Sequence, residues 1–240
     1  MNKFVISLAC ASLALAAAIP GSAVQDSPVK ATAAHDDSAA DKEKMVIADQ
    51  LPSYPLNKCV VSHEELGSMG EPIDLVVEGH LLRLCCKGCV KKAKANPAAA
   101  IKQVEAAVIA KQLPHYPLKK CAVTGKALDP EKDPVNVVVG TRLVRVCCDR
   151  CAKKVRADSS KAIKAVNAAL IETQKKHYPI KTCIVSGEVI VGEDVDPPVD
   201  MLYGTSLVRL CCKRCKKAFH KSPAKYMEKL HQERAKHSKK

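Results

Sequence analysis

Short β-prone runs recur in pairs along the chain. In the middle pair, residues 135–139 (VNVVV) and 142–146 (RLVRV) are rich in valine and are separated by Gly140 and Thr141. Glycine tolerates the positive φ that a tight turn requires, so this pair predicts a β-hairpin. A polar loop precedes the hairpin, and a basic, helix-prone stretch follows it.

A longer helix with an apolar stripe follows each basic stretch. Side chains three or four residues apart share one face of a helix, so a stripe at that spacing predicts an amphipathic helix. Asn96 and Pro97 supply a cap and a first-turn proline for the first of these helices. We assign the stripes to the core and to packing between neighbouring units. They consist of Ile101, Val104 and Val108; Ile163, Val166 and Leu170; and Tyr226, Met227 and Leu230.

The whole pattern repeats with a fixed period. Tyr54, Tyr116 and Tyr178 are 62 residues apart, and each is followed by a proline and then by a lone cysteine. A period of this size indicates an array of small units. We predict an α+β fold: a tandem array of three small modules, each with a knuckle turn, a β-hairpin and a helix, with linking helices between them. The predicted Cys-rich modules are residues 51–112, 113–174 and 175–240, and the third includes a basic tail.

Each repeat carries four cysteines, one on the knuckle turn and three in a Cys-Cys-x-x-Cys sequence where the basic helix begins. Residues i and i+3 or i+4 share a helix face, so two of these three can approach one ion together with the lone cysteine. Structural zinc takes four tetrahedral ligands, and Cu(I) is satisfied by two or three thiolates. We therefore predict three metal sites, each with three thiolates. In the first repeat Cys89 is preferred, then Cys59; of the adjacent pair, Cys85 is preferred over Cys86. The candidate ligands are Cys59, Cys85, Cys86, Cys89, Cys121, Cys147, Cys148, Cys151, Cys183, Cys211, Cys212 and Cys215.

Hydroxyls and histidines are weaker candidates. The second knuckle position, where zinc modules normally have another cysteine, carries a hydroxyl in every repeat. Histidines do not recur in all three repeats, although His220 is placed to complete the third site. Acidic residues show no recurrent pair, so general acid–base catalysis is not expected and we predict that the chain is not an enzyme. The hydroxyl residues are Ser62, Thr124 and Ser186.

The order of Cys59 and the later Cys85-x3-Cys89, which all three repeats share, resembles the TRASH and YHS-like family of small metal-binding modules. The third repeat is the most similar, because Phe219 and a Pro-x-x-Tyr sequence ending at Tyr226 follow its helical cysteine. The first two repeats lack that phenylalanine, and the gap after the lone cysteine is somewhat longer than in the family. The resemblance implies a treble-clef-like module that binds zinc or another heavy metal, in metal sensing, trafficking or resistance.

Residues 1–23 have the features of a secretory signal peptide. Lys3 precedes an apolar run, and small residues lead to Ala23. The run is shorter than the ~20 apolar residues of a membrane-spanning helix, so we predict cleavage after Ala23 and no membrane span. Cys10 is removed with this segment. Residues 24–50 lack hydrophobic periodicity and predict a flexible linker, and the mature protein is expected in a periplasm or outside the cell.

The net charge of +14 is concentrated in the repeats and the tail. A basic surface favours acidic partners. Because export makes nucleic acid an unexpected partner, the predicted partners are metal ions and acidic components of the cell envelope. Solvated helix faces that keep the protein soluble are the alternative explanation of the charge. The basic stretches are residues 87–94, 150–156, 213–221 and 234–240.

Export also raises a competing hypothesis for the cysteines. Exported proteins commonly form disulfides, and modules of this size usually need a metal, disulfides or stacking to be stable. An exported scaffold with two disulfides per repeat, basic binding faces and no cofactor is therefore the alternative to a zinc or Cu(I) protein. A thiol oxidoreductase is a third hypothesis, because Cys-x-x-Cys at a helix start suits thiol exchange. The alternating strand and helix pattern in which that motif normally lies is missing from the sequence.

Overall fold

The computed structural model describes residues 37–238, which contain seven α-helices and three two-stranded antiparallel sheets. The predicted α+β class is confirmed for this range. The predicted signal peptide, Cys10 and residues 24–36 lie outside it. Between residues 37 and 238, no helix combines the length and the apolar character needed to cross a bilayer. In chain order the elements are α1 (Asp37–Gln50), β1 (Ile73–Val77), β2 (His80–Leu84), α2 (Lys87–Ala95), α3 (Pro97–Gln112), β3 (Val135–Val139), β4 (Arg142–Val146), α4 (Asp149–Ala157), α5 (Ser160–Lys175), β5 (Val199–Tyr203), β6 (Ser206–Leu210), α6 (Lys213–Lys221) and α7 (Pro223–Ser238).

Each sheet is a hairpin of two strands that are adjacent in sequence. In β3 and β4, Val135 lies opposite Val146 and Asn136 lies opposite Arg145, so the predicted hairpin is confirmed at its predicted bounds. Arg145 Nε donates a hydrogen bond to Asn136 Oδ1 (3.2 Å) across the strands. This pairing explains why an arginine recurs two residues before each cysteine pair. The equivalent pairs in the other hairpins are the ion pairs Arg83–Asp74 and Arg209–Asp200, each at 2.8 Å.

The long helices α3, α5 and α7 carry the predicted apolar stripes. The stripe of α3 is buried, as are Val166 in α5 and Leu230 in α7. The helix α3 contacts the hairpin before it and the hairpin after it, and α5 does the same. Val138 and Leu143 of the second hairpin belong to the same hydrophobic cluster as the α3 stripe. The helix α3 therefore joins the first and second hairpins through a shared core.

A glutamine at the end of a helix binds the backbone of each hairpin. Gln112 Nε2 donates to the Thr141 carbonyl (2.7 Å), and Gln112 Oε1 accepts from the Leu143 amide (3.0 Å). Buried backbone groups cost free energy when they have no partner, and one glutamine side chain supplies two partners here. In the sequence, the only indication of this function is the 62-residue spacing that the three glutamines share. Gln50 makes the same pair of bonds with Gly79 and Leu81, and Gln174 with Thr205 and Leu207.

We expect Gln112→Ala to lower the free energy of unfolding by about 2 kcal/mol, because two backbone groups near the hairpin turn lose their partner. The matched control is Gln103→Ala, on an exposed position of the same helix. Urea denaturation of the full chain gives both values. Equal stability of the two variants would contradict a bridging function for Gln112.

Part of the segment that was predicted to be a flexible linker is helical in the structure. Residues 37–50 form the helix α1, which contacts β1 and β2. Gln50 is buried at its end, whereas most of the helix is exposed. Because the burial is concentrated in one polar residue, no apolar stripe marks this helix in the sequence.

The turns of the second and third hairpins pack against residues from other repeats. Thr141, in the second turn, is buried, and its hydroxyl lies 2.6 Å from Ser53 Oγ. Arg142 Nη2 donates to the carbonyl of Gly204 in the third turn (2.6 Å). Gly204 has a φ of 58°, and a Cβ at this position would lie 2.7 Å from the Pro52 carbonyl oxygen. Only glycine fits there, so the third turn packs closely against the start of the first unit.

Candidate metal centres

Local hydrogen bonds place each lone cysteine opposite the start of a basic helix. The Tyr116 hydroxyl accepts from the Arg145 amide (2.9 Å), which fixes the segment before Cys121 against β4. The Cys121 amide donates to the Lys126 carbonyl (2.7 Å), and the Cys121 carbonyl accepts from Gly125 (2.9 Å), closing the knuckle turn. The knuckle therefore faces the junction of β4 and α4. The same tyrosine bond joins Tyr54 to Arg83 and Tyr178 to Arg209, each at 3.1 Å.

The two adjacent cysteines of each repeat have different surroundings. Cys147 follows β4, and Cys148 is the N-cap residue of α4 in an extended conformation (φ −168°, ψ 167°). Cys147 Sγ lies beside Cys151 Sγ in the first turn of α4, whereas Cys148 is exposed.

Three of the four thiols converge in each repeat, with their three sulfur atoms all within 4.8 Å of one another. The sulfur atoms of the strand-end cysteine and the helical cysteine are 3.7 Å apart for Cys85 and Cys89, and 3.8 Å apart for Cys147 and Cys151. Thiolates bound tetrahedrally to one ion at about 2.3 Å have sulfur atoms about 3.8 Å apart. The spacing therefore fits a shared metal ion, and all twelve cysteines of residues 37–238 are free thiols. The groups are site 1 (Cys59, Cys85, Cys89), site 2 (Cys121, Cys147, Cys151) and site 3 (Cys183, Cys211, Cys215).

The fourth cysteine of each repeat lies at the rim of the site. Cys148 Sγ is 3.9 Å from Cys147 Sγ, and Cys212 Sγ is 3.7 Å from Cys211 Sγ. These thiols are not part of the converging groups. Cys148 is exposed, while the lone thiol of the same site, Cys121, is only 2% exposed. We call the N-cap thiols of α2, α4 and α6 the rim thiols: Cys86, Cys148 and Cys212.

The knuckle hydroxyls contact the sites. Ser62 Oγ lies 3.2 Å from Cys85 Sγ, and Ser186 Oγ lies 3.4 Å from Cys211 Sγ. Thr124 Oγ1 is farther from Cys147 Sγ, at 3.8 Å. The hydroxyl that replaces a second knuckle cysteine is therefore a hydrogen-bond partner for the thiols of the site.

The lone thiol and the helical thiol have opposite pKa shifts. Burial raises the pKa of Cys59, but hydrogen bonds from the Ser62 hydroxyl and from nearby backbone amides outweigh it and lower the pKa to about 6. Burial raises the pKa of Cys89 to about 12. Without a cation, site 1 thus favours a Cys59 thiolate beside a neutral Cys89 thiol. A metal ion stabilises the deprotonated form of all of its ligands. The same balance lowers the pKa of Cys121 to about 6 and of Cys183 to about 7, and burial raises that of Cys151 to about 12.

We expect Ser62→Ala to weaken metal binding at site 1 by about 10- to 100-fold, because partners that orient metal ligands have effects of that size. Ser68→Ala is the matched control, since the Ser68 hydroxyl bonds the Glu65 carbonyl in the same loop and touches no thiol. Competition with a chelator of known affinity measures the three dissociation constants. If Ser62→Ala binds as tightly as the control, the hydroxyl does not support the thiolates.

The histidines do not join the converging groups. His220, the residue predicted to complete site 3, has its ring edge-on to the ring of Phe219, with 5.8 Å between the ring centroids. Its nitrogen atoms are not among the ligand atoms that converge there. Phe219 is fully buried in the core and stacks against the partly buried Tyr226, with 5.8 Å between the ring centroids.

No family model, curated protein or solved structure matches the chain. The resemblance to TRASH and YHS-like modules therefore rests on the cysteine spacing and on the third-repeat residues. The converging thiols stand independently of that resemblance.

Proposed function

We propose that the chain is an exported, non-enzymatic heavy-metal-binding protein, built as a tandem array of three modules with one thiolate site each. The observation that carries this proposal is the convergence of three thiols at metal-compatible spacing, three times in one chain. The lone cysteine and the pair come from segments more than twenty residues apart in each repeat. Knuckle turn, tyrosine bond and helix start all position these thiols.

Zinc and Cu(I) are the ions that best suit the donors. Thiolates are soft ligands, and both ions bind them well. Three thiolates satisfy Cu(I), whereas zinc takes a fourth ligand, for which the rim thiol or a solvent molecule is available. When bound, the ion supplies the positive charge that holds the thiols deprotonated and joins knuckle to helix.

A bound ion also has a structural effect in modules of this size. Each module contains a two-stranded hairpin and a small hydrophobic cluster. Two-stranded hairpins are marginal alone, and small domains usually need a metal or disulfides. We propose that the metal links the knuckle to the helix start and so contributes to the stability of each module.

The exposed lysines of the short helices support a further part of the proposal, namely binding to acidic envelope components. Lys87, Lys91 and Lys92 of α2 are exposed close to site 1. The short helices α4 and α6 carry similar exposed basic residues. A change from low to high salt is expected to release such a partner, because exposed charges are screened.

The second candidate is the disulfide-stapled scaffold. It is favoured by the predicted export and by the close approach of thiols such as Cys211 and Cys215, whose sulfur atoms are 3.5 Å apart. Two disulfides per repeat would have to include the rim thiol Cys212, which lies outside the converging group of three. A shared metal ion uses all three thiols and is therefore the better explanation of the geometry.

Titration of the reduced, metal-free full chain with Co²⁺ tests the proposal. Thiolate-to-metal charge-transfer absorption is expected to rise until three equivalents are bound, one for each group. Absence of such absorption would overturn metal binding. Export is checked by N-terminal sequencing of the mature chain, which is expected to begin at Val24; a mature chain that retains the preceding residues would contradict cleavage after Ala23.

A further inference from the structure

The rim thiols occupy one position in all three repeats and lie outside the converging groups. Each is the N-cap residue of a short basic helix, with φ between −158° and −168°. In this extended conformation the rim residue lies between the strand end and the helix, and its thiol stands beside the site without belonging to the converging group. The three rim thiols therefore share one geometry relative to their sites.

Accessibility separates the rim thiol from the lone and the helical thiol of its site, whereas its strand-end neighbours Cys147 and Cys211 are themselves partly exposed. In the second repeat, Cys121 and Cys151 are 2% and 4% exposed, whereas Cys148 is exposed. Cys86 and Cys212 are partly exposed. A metal carrier that approaches from solvent thus meets the rim thiol before it can reach the buried pair.

The rim thiol is also close enough to a site ligand for an ion to pass between them. Cys148 Sγ lies 3.9 Å from Cys147 Sγ, and Cys212 Sγ lies 3.7 Å from Cys211 Sγ. Two sulfur atoms about 3.8 Å apart can bind one ion at the same time. An ion held at the rim can therefore bind its first site thiolate before it leaves the rim.

We propose that the rim thiols Cys86, Cys148 and Cys212 are exchange ligands that load and unload the buried sites. This inference rests on the proposed metal-binding function and adds the class of exchange partner, a thiolate-bearing metal carrier such as a low-molecular-weight thiol. The rim thiol gives up its proton and forms a bond to the ion as the carrier sulfur leaves with that proton. A site thiol then gives its proton to the rim sulfur and takes its place on the ion, any further site thiol releases its proton to solvent as it binds, and no atom changes oxidation state.

Replacement of all three rim thiols by serine in the full chain tests the proposal. Zinc-loaded protein is mixed with excess chromogenic chelator and glutathione, and zinc transfer is followed by stopped flow. We expect the variant to keep three zinc ions but to transfer them about tenfold more slowly or worse, an effect typical of groups beside a metal site. Arg150→Ser, at an exposed position in the first turn of α4, is the matched control and is expected to transfer zinc like the parent chain.

The other outcomes separate this inference from the function on which it rests. Three ions with an unchanged transfer rate would overturn exchange through the rim and leave metal binding intact. Fewer ions in the variant than in the parent chain would make the rim thiols permanent ligands, which also overturns exchange. A parent chain that binds no zinc would overturn both proposals.

A second measurement does not depend on the folding of a variant. Brief treatment of the zinc-loaded parent chain with an alkylating reagent, followed by peptide mapping, is expected to label the rim thiols before the other nine thiols of residues 37–238. Equal labelling of all twelve would contradict an accessible exchange ligand beside a protected site.

Discussion

Chelation of the metal is expected to lower the thermal stability of the full chain more than any single substitution proposed for it. An ion that binds only the folded chain stabilises it by about 2.7 kcal/mol when its free concentration is about 100 times Kd. Three independent sites contribute about 8 kcal/mol in total by the same relation. For a chain of this length, that corresponds to a fall in Tm of roughly 20 °C. Calorimetry with and without chelator, under reducing conditions, measures it.

The control for this experiment is a chain that lacks the lone cysteine of every site. The triple variant Cys59→Ser, Cys121→Ser and Cys183→Ser retains all helical thiols but loses the knuckle ligand that is most deeply buried. Its Tm is expected to be low and insensitive to the chelator. If the parent chain melts at one temperature with and without chelator, the metal has no part in the stability of the fold.

Replacement of Cys121 alone by serine is expected to reduce the bound ions from three to two. Cys121 lies on the knuckle, and its sulfur is the only thiol that this side contributes to site 2. Loss of a direct ligand weakens binding by more than the about 100-fold that the loss of an outer partner costs. The remaining sites use thiols from other elements and should keep their ions.

Native mass spectrometry of the zinc-loaded variant counts the ions directly. Cys59→Ser and Cys183→Ser serve as internal controls, because each should also leave two ions but at different sites. Loss of all three ions from one substitution would contradict independent sites. Retention of three ions by Cys121→Ser would remove the lone cysteine from the ligand set.

The hairpins and long helices could be predicted from the sequence because their signals are local. The valine-rich runs around Gly140 define two strands and a turn within twelve residues, and the structure has the strands at those bounds. The stripe of α3 is likewise marked by Ile101, Val104 and Val108, all of which are buried. Period and hydrophobicity were sufficient for these elements.

The helix α1 and the glutamine bonds could not be predicted in the same way. Gln50 is polar, and its partners are backbone groups of Gly79 and Leu81, which lie about thirty positions away. Backbone partners carry no side-chain signature in a sequence. The 62-residue spacing of Gln50, Gln112 and Gln174 was the one available indication, and only the hydrogen bonds give it a meaning.

The sequence alone does not show which of two adjacent cysteines belongs to a site. The sequence places Cys85 and Cys86 side by side at a strand end, and either can pair with Cys89 by helical spacing alone. In the fold, Cys85 joins Cys59 and Cys89 in the converging group, whereas Cys86, the N-cap residue of α2, stays at the rim.

If the twelve cysteines of residues 37–238 bind metal ions rather than form disulfides, intact mass spectrometry of protein purified from its native compartment will show it. We expect three bound zinc or copper ions under native conditions and twelve alkylated thiols after denaturation. A metal-free chain whose cysteines resist alkylation, and whose mass is lower by the two hydrogens of each closed pair, would contradict it.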